Sequence, residues 1–191
     1  MEGLLFIRHA ETDLAGTFCG HSDPPLNARG RIQVRELIAR FPGDHFDAIY
    51  SSDLRRAADT ATSLAQAFAV PCTKTSELRE IYFGDWEAMT WAEIERRDAD
   101  YARRWTESFP NLAAPNGEIY AAFESRVLQE IDRLLDLAAD QRIAVVTHGG
   151  VMRVVLRHLL GHTEEQAWEL TKPYCSFFAY AEAAVPEEVG Q

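Results

Sequence analysis

The chain has 191 residues, 47% of them hydrophobic, which is enough for one well-packed domain and too few for two of ordinary size. A formal net charge of -11 argues against a nucleic-acid binder, which must neutralise phosphates with Lys and Arg, but not against a small phosphorylated metabolite met by a few clustered arginines. Cys19, Cys72 and Cys175 are widely spaced and form no CxxC pair, so the reading is of reduced thiols, a cytoplasmic location, no structural metal and no cofactor.

Taken in chain order, the first element is the apolar run Leu4 to Ile7, too short for a signal peptide or a membrane span and suited to a buried strand. Val34, Leu37, Ile38 and Phe41 then share one helical face. A second strand is expected from Phe46 to Tyr50, ending at Ser51-Ser52-Asp53. A helix follows with Ala57, Ala61, Leu64, Ala65 and Phe68 on its inner face and Asp53 as its N-cap. Residues 78–117 carry Trp86, Trp91, Trp105, Pro110, Pro115 and Gly117 with little strand character, and read as a helical cap, with a capping box at Thr90 and Glu93. A long helix starts near Glu118 and buries Phe123, Val127, Ile131, Leu134 and Ala138. The run Ile143 to Val146 is a third strand, ending at Thr147-His148-Gly149-Gly150. Thr163 and Gln166 form another capping box, and Ser176 to Tyr180 completes the strands. Alternating strands and helices predict a single α/β domain over residues 1–191, a three-layer sandwich with a mainly parallel sheet, helices on both faces and a small helical cap. The chain shows no repeat or linker, and nothing in it decides between a monomer and a homodimer.

In a parallel sheet, ligands bind beyond the carboxyl ends of the strands. Three strands here end in residues suited to phosphate: Arg8-His9, Ser51-Ser52-Asp53 with Arg55-Arg56 behind, and Thr147-His148-Gly149-Gly150. A neutral imidazole can attack phosphorus, arginine stays charged and grips phosphate through two N–H groups, and a helix opening on glycines offers backbone donors. A carboxylic acid must protonate the departing oxygen, and Glu80 or Glu87 can supply it. His21, His45, His158 and His162 carry no such pattern and read as ordinary structural histidines.

These residues resemble the motifs of the histidine phosphatase superfamily, the phosphoglycerate-mutase-like proteins. Phe6-Ile7-Arg8-His9-Ala10-Glu11-Thr12 is similar to its signature, Gly20 to Asn27 to the following loop, and Ser51 to Ala61 to its second block. Leu78 to Glu87 resembles the acid-bearing block, and Val146 to Gly150 the second-histidine block. The resemblance implies His9 as nucleophile, and Arg8, Arg56 and His148 as phosphate ligands helped by the N–H of Gly149. It also implies Glu80 rather than Glu87 as proton donor, Arg55 as a surface residue, and Cys19 and Gly20 as further substrate-binding candidates. Two positions depart from the pattern: Ala10 stands where the signature has Gly, and Ala15 where many members carry an Asn that binds phosphate.

The stretch Tyr82 to Glu87, with Trp105, Pro115 to Glu118, Phe123 and Arg126-Val127, is similar to the α-ribazole phosphatases of the cobalamin pathway. That similarity implies a metal-independent phosphomonoesterase with a phosphohistidine intermediate. Its rivals are a broad-specificity sugar or nucleotide phosphatase and a phosphoglycerate mutase-type isomerase. Asp85, Glu87, Glu93, Glu95, Asp98, Asp100 and Glu107 form an acidic cap expected to repel a second anionic group. The rings of Tyr82, Trp86, Trp91, Tyr101 and Trp105 either stack on a flat base or hold the cap together.

Overall fold

The computed structural model describes residues 3–181. Four strands run parallel: β1 (Gly3–Arg8), β2 (Ala48–Ser52), β3 (Cys72–Thr75) and β4 (Arg142–Thr147). A fifth, β5 (Phe177–Tyr180), closes one edge antiparallel to β1, giving the order β3-β2-β4-β1-β5. The described residues form seven helices, α1 (Ala28–Ile38), α2 (Arg55–Phe68), α3 (Trp91–Arg97), α4 (Ala99–Ser108), α5 (Tyr120–Ala138), α6 (Gly149–Leu160) and α7 (Glu164–Thr171), of which α3 and α4 lie in the cap, away from the sheet.

Side chains alternate along each strand, and both faces of the central strands are covered. Leu5 and Ile7 of β1, Ile49 of β2, and Ala144 and Val146 of β4 pack on Val34, Leu37, Ala57, Ala61 and Leu64 of α1 and α2. Leu4, Phe6, Ile143 and Val145 pack on Phe123, Val127, Ile131 and Leu134 of α5 and on Val151, Val154 and Val155 of α6. The helical period of three to four in those apolar residues and the strand period of two meet in two continuous cores. Each fully buried aliphatic side chain contributes about 1.5–3 kcal/mol.

The register decides where chemistry can occur. Arg8 lies opposite Thr147, and Ser51 opposite Val146, so the carboxyl ends of β1, β2 and β4 finish at one edge. His9, Asp53 and His148 follow immediately and therefore converge.

The expected capping boxes at Thr90–Glu93 and Thr163–Gln166 are both formed. Asp53 is not the cap of α2. That position is Leu54, which has no capping side chain, and Asp53 instead holds the Arg79 guanidinium at 2.7 and 2.6 Å. An ion pair to the cap segment outcompetes a local helix cap here. The helix expected to start near Glu118 starts at Tyr120, because Glu118 is bonded to Tyr82 through its N–H (2.8 Å) and its carboxylate (3.2 Å).

The cap consists of the tight turns Ser76–Leu78 and Gly84–Trp86, then α3 and α4. Its own small core is Trp86, Ile94, Ala102 and Ala114, ringed by Phe18, Phe83, Met89, Trp91, Tyr101 and Trp105. Trp86 and Trp105 meet edge to face at 5.3 Å, and Phe18 from the loop after β1 inserts between Phe83 (5.0 Å) and Trp105 (5.9 Å). Most of the cap's aromatic side chains thus hold the cap to that loop.

Leu134 is fully buried between α5 and the sheet. Leu134→Ala removes that packing and leaves a cavity, so unfolding free energy from urea titration should fall by about 2–5 kcal/mol with little change in KM.

Candidate active site

His9 follows the last residue of β1, and its N–H donates to Thr147 O at 2.9 Å. Its ring Nδ1 is 2.7 Å from Ala10 O. A carbonyl only accepts, so the proton sits on Nδ1 and the lone pair on Nε2. Arg56 Nε–H donates to that Nε2 at 3.2 Å. Ala10, the departure from the family signature, is buried in the core against α2, where its N–H donates to Thr60 Oγ1 at 3.2 Å. The extra methyl is therefore absorbed by packing. Ala15 is exposed and carries no side-chain donor.

Arg56 lies in the first turn of α2 and is 1% exposed, the largest fully buried side chain among the described residues. Its Nη1 donates to Ser22 O at 2.7 Å, and its Nη2 to Cys19 O at 3.1 Å and Gly20 O at 2.7 Å. Cys19 and Gly20 thus face the site through carbonyls that grip Arg56. The Gly20 N–H is already donated to Glu87 at 3.2 Å, so Gly20 meets the cluster only through its carbonyl on Arg56. A Cβ on Gly20 would overlap Ile81 O and the Glu87 carboxylate.

Glu87 organises this loop. It accepts the N–H groups of Gly20, His21, Ser22 and Phe83 at 2.8–3.2 Å, and the Ser22 hydroxyl as well. Burial works to raise its pKa, but the bonds from Ser22, Phe83 and His21 outweigh burial and hold it below the ordinary range. A carboxylate so occupied is a structural anion and has no proton to give. Arg55 is exposed, and its N–H caps onto Asp23 at 2.6 Å.

Opposite Arg56 stand Arg8, His148 and Glu80. Arg8 Nη1 donates to Thr171 O (3.0 Å) and to Lys172 O at the end of α7, and its guanidinium lies 4.4 Å over the Tyr174 ring. The His148 ring centroid is 5.0 Å from that of His9. Arg8 Nε and both ring nitrogens of His148 are buried with no hydrogen-bond partner among the described residues. Glu80 is also buried. Its Oε2 accepts Gly150 N–H at 2.8 Å and its Oε1 accepts Ile81 N–H at 3.0 Å. Any Cβ on Gly150 would collide with this carboxylate, which is why the second glycine of Gly149-Gly150 is needed.

Two neighbours escaped the sequence reading. Tyr174, 5.7 Å from the His9 ring, lies in the bend before β5 that no periodicity marks. Arg153 lies four residues past Gly149, on the same face of α6, and its guanidinium rests 4.6 Å over Trp168. Its helical spacing from Gly149 was the available signal.

Burial, then the charges of Arg56 and Arg8, push His9 well below the ordinary imidazole value. Burial, Arg56, His9 and Arg8 do the same to His148. Both rings are neutral at physiological pH, as an imidazole nucleophile requires. Among the described residues no group of His, Cys, Asp and Glu side chains could hold a metal ion, and no helix is long and apolar enough to cross a membrane.

Residues 4–181 match the family model of the histidine phosphatase superfamily, branch 1. The chain belongs to this superfamily. It is similar to the adenosylcobalamin/alpha-ribazole phosphatase of Escherichia coli, 35% identical over 86% of this chain and 82% of that protein. It is also similar to phosphoserine phosphatase 1 of Hydrogenobacter thermophilus, 31% identical over 88% of this chain and 81% of that one. Among solved structures, the alpha-ribazole phosphatase from Shigella flexneri superposes with a TM-score of 0.79 at 32% identity, covering 87% of this chain and 84% of that one. Mycobacterial glucosyl-3-phosphoglycerate phosphatase superposes with a TM-score of 0.75 at 26% identity, covering 88% and 84%. The protein is a phosphatase of the histidine phosphatase type, a hydrolase.

The two depressed histidines couple stability to pH. In the unfolded chain each takes up a proton near its ordinary value of 6.5, whereas in the folded protein each does so only at lower pH. Their contribution is complete above that value and is lost as the pH falls below it. The urea midpoint should therefore drop between pH 7.5 and 5.5, and His148→Gln should make that drop shallower. A midpoint independent of pH would contradict the burial of neutral rings.

Proposed function

We propose that the chain hydrolyses phosphomonoesters through a phosphohistidine on His9 Nε2, and that its physiological substrate is α-ribazole 5′-phosphate or the cobamide bearing the same phosphate. The observation that carries the chemistry is the His9 ring itself, its Nδ1 tied to Ala10 O and its lone pair facing Arg56. Arg8 Nε and the one N–H that the neutral His148 ring carries, buried without partners among the described residues, supply donors for a group with three charged oxygens. The N–H groups at the start of α6 add to them.

In the first step His9 Nε2 attacks phosphorus, the ester P–O bond breaks, and the leaving oxygen takes a proton from Glu80. In the second, water gives a proton to the Glu80 carboxylate and its oxygen to phosphorus, the P–N bond breaks, and phosphate departs. Arg8, Arg56 and His148 stabilise the charge that builds on the equatorial oxygens in both steps, so arginine does here what a divalent ion does elsewhere.

Rapid acid-free quenching with a labelled substrate should trap phosphate on His9, and His9→Ala should abolish both trapping and turnover. Glu80→Gln should lower kcat roughly 10²–10⁴-fold for alkyl phosphates and far less for p-nitrophenyl phosphate, whose leaving group needs no proton. Phosphate trapped on another residue, or equal losses on both esters, would refute the assignments.

Similarity to the adenosylcobalamin/alpha-ribazole phosphatase favours the substrate reading. Electrostatic repulsion by the cap does not support it. Five of the seven cap carboxylates have structural tasks: Asp85 with Asn116, Glu87 with the loop, Glu93 and Asp98 as helix caps, Asp100 with Arg103. Trp86 and Trp105 are likewise committed to packing. Tyr82 and Tyr174 are the rings left to meet a flat base, Tyr82 being exposed beside His21 at 5.1 Å.

A second reading, a phosphatase of small phosphorylated acids, is favoured by the similarity to phosphoserine phosphatase 1. Competition separates the two. With α-ribazole phosphate, phosphoserine, ribose 5-phosphate and 3-phosphoglycerate at equal low concentration, α-ribazole phosphate should be depleted first. Preferential loss of phosphoserine would establish the second reading, and isomerisation of 3-phosphoglycerate without phosphate release would replace both.

A further inference from the structure

Glu80 sits in irregular backbone between the turns Ser76–Leu78 and Gly84–Trp86, where no ladder or helix fixes it. Such a segment must find partners for its carbonyls elsewhere. One side chain satisfies three of them. Arg126, from the second turn of α5, donates through Nη1 to Glu77 O and Arg79 O, both at 2.9 Å, and through Nη2 to Glu80 O at 3.1 Å.

The same guanidinium is gripped by Glu118, with Nε to Oε1 at 2.8 Å and Nη2 to Oε2 at 2.9 Å, in a pair whose side chains are only 18% and 19% exposed. Glu118 Oε2 also accepts the N–H of Tyr82. The Phe123 ring lies 4.9 Å from the Arg126 guanidinium carbon. His21 Nε2, 3.1 Å from Glu80 O, closes on the same carbonyl from the other side. The strap from Glu77 to Tyr82 is thus bound to α5 through a single planar fork.

No hydrogen bond of Arg126 reaches His9, Arg8, Arg56 or His148. Its bonds end on the backbone of the segment that carries the carboxylate. A proton donor acts over hydrogen-bond distance, and displacement of a reacting group by about 1 Å can cost roughly 10²-fold in rate. We propose that Arg126, locked by Glu118, is a positioning residue for Glu80. It sets the placement of the carboxylate for proton transfer to the leaving group and leaves phosphate capture to the arginine and histidine cluster. The inference rests on Glu80 being the proton donor.

The test measures leaving-group dependence in Arg126→Lys and Glu118→Gln. Lysine keeps the charge but cannot hold three carbonyls and a carboxylate in one plane. In Arg126→Lys, kcat for an alkyl phosphate should fall at least tenfold, with less than a threefold change for p-nitrophenyl phosphate. Phosphohistidine formation from the activated ester should be retained, and the alkaline limb of the pH–kcat profile for the alkyl phosphate, where a proton donor is lost, should shift. Added to Glu80→Gln, the lysine change should cost almost nothing more, because the two act on one step.

Equal losses on both esters would show general structural damage and overturn the proposal. So would unchanged kinetics on both. Glu80→Gln run alongside separates the failures. If that variant shows no leaving-group dependence, the proton-donor assignment falls and the Arg126 proposal with it. If it does and Arg126→Lys does not, only the positioning role is lost. Melting temperature and the Glu118→Gln variant, which loosens Arg126 without removing it, guard against a misfolded lysine variant: a folded Glu118→Gln without leaving-group dependence also overturns the proposal.

Discussion

The arrangement depends on one buried cation. The Arg56 guanidinium is removed from water with no ion pair to a carboxylate among the described residues, and its N–H groups end on three carbonyls and one imidazole nitrogen. Burying a charge costs several kcal/mol unless it is well bonded, and neutral acceptors offset that cost without cancelling the charge. The field left over acts on its neighbours. It helps hold His9 and His148 unprotonated, and it makes the space before them favourable for a dianion. A carboxylate partner for Arg56 would have removed both effects.

Around this charge, the parts divide between sheet and cap. The sheet delivers His9 and His148 from adjacent parallel strands, so their separation is fixed by the strand spacing and by backbone hydrogen bonds. The cap and the loop from Cys19 to Ser22 deliver the rest, held by side chains: Glu87 for the loop, Asp53 with Arg79 for one flank of Glu80, and Arg126 with Glu118 for the other. Binding and chemistry thus rest on two kinds of support, one repetitive and rigid, the other a few ion pairs.

That division also explains what could be read in the sequence. Four of the five strands, the inner faces of the helices and both capping boxes follow from local periodicity and local hydrogen bonding and were legible; β3, the four residues Cys72–Thr75 with no apolar run, was not. The convergence of Arg8, His9, Arg56 and His148 followed from strand ends sharing one edge. Asp53 was misread because its partner, Arg79, lies 26 residues away. For the same reason the sequence showed Glu87 only as a rival acid, and gave no mark to Tyr174 or to the reach of Arg126 across 46 residues to Glu80. Long-range polar contacts leave no period in the chain. The cap's rings and carboxylates looked available for a ligand because composition alone cannot tell an inward from an outward side chain.

The position of Glu87 has a consequence for how this scaffold can diversify. Its carboxylate belongs to the cap, yet it shapes the loop whose carbonyls seat Arg56, and Phe18 from that loop is inserted among the cap's aromatic rings. Cap and loop therefore form one structural unit. A chimera that exchanged residues 78–117 alone would carry away the anion that orders residues 19–22 and the socket for Phe18. The module that can be transplanted between relatives includes the loop as well as the cap.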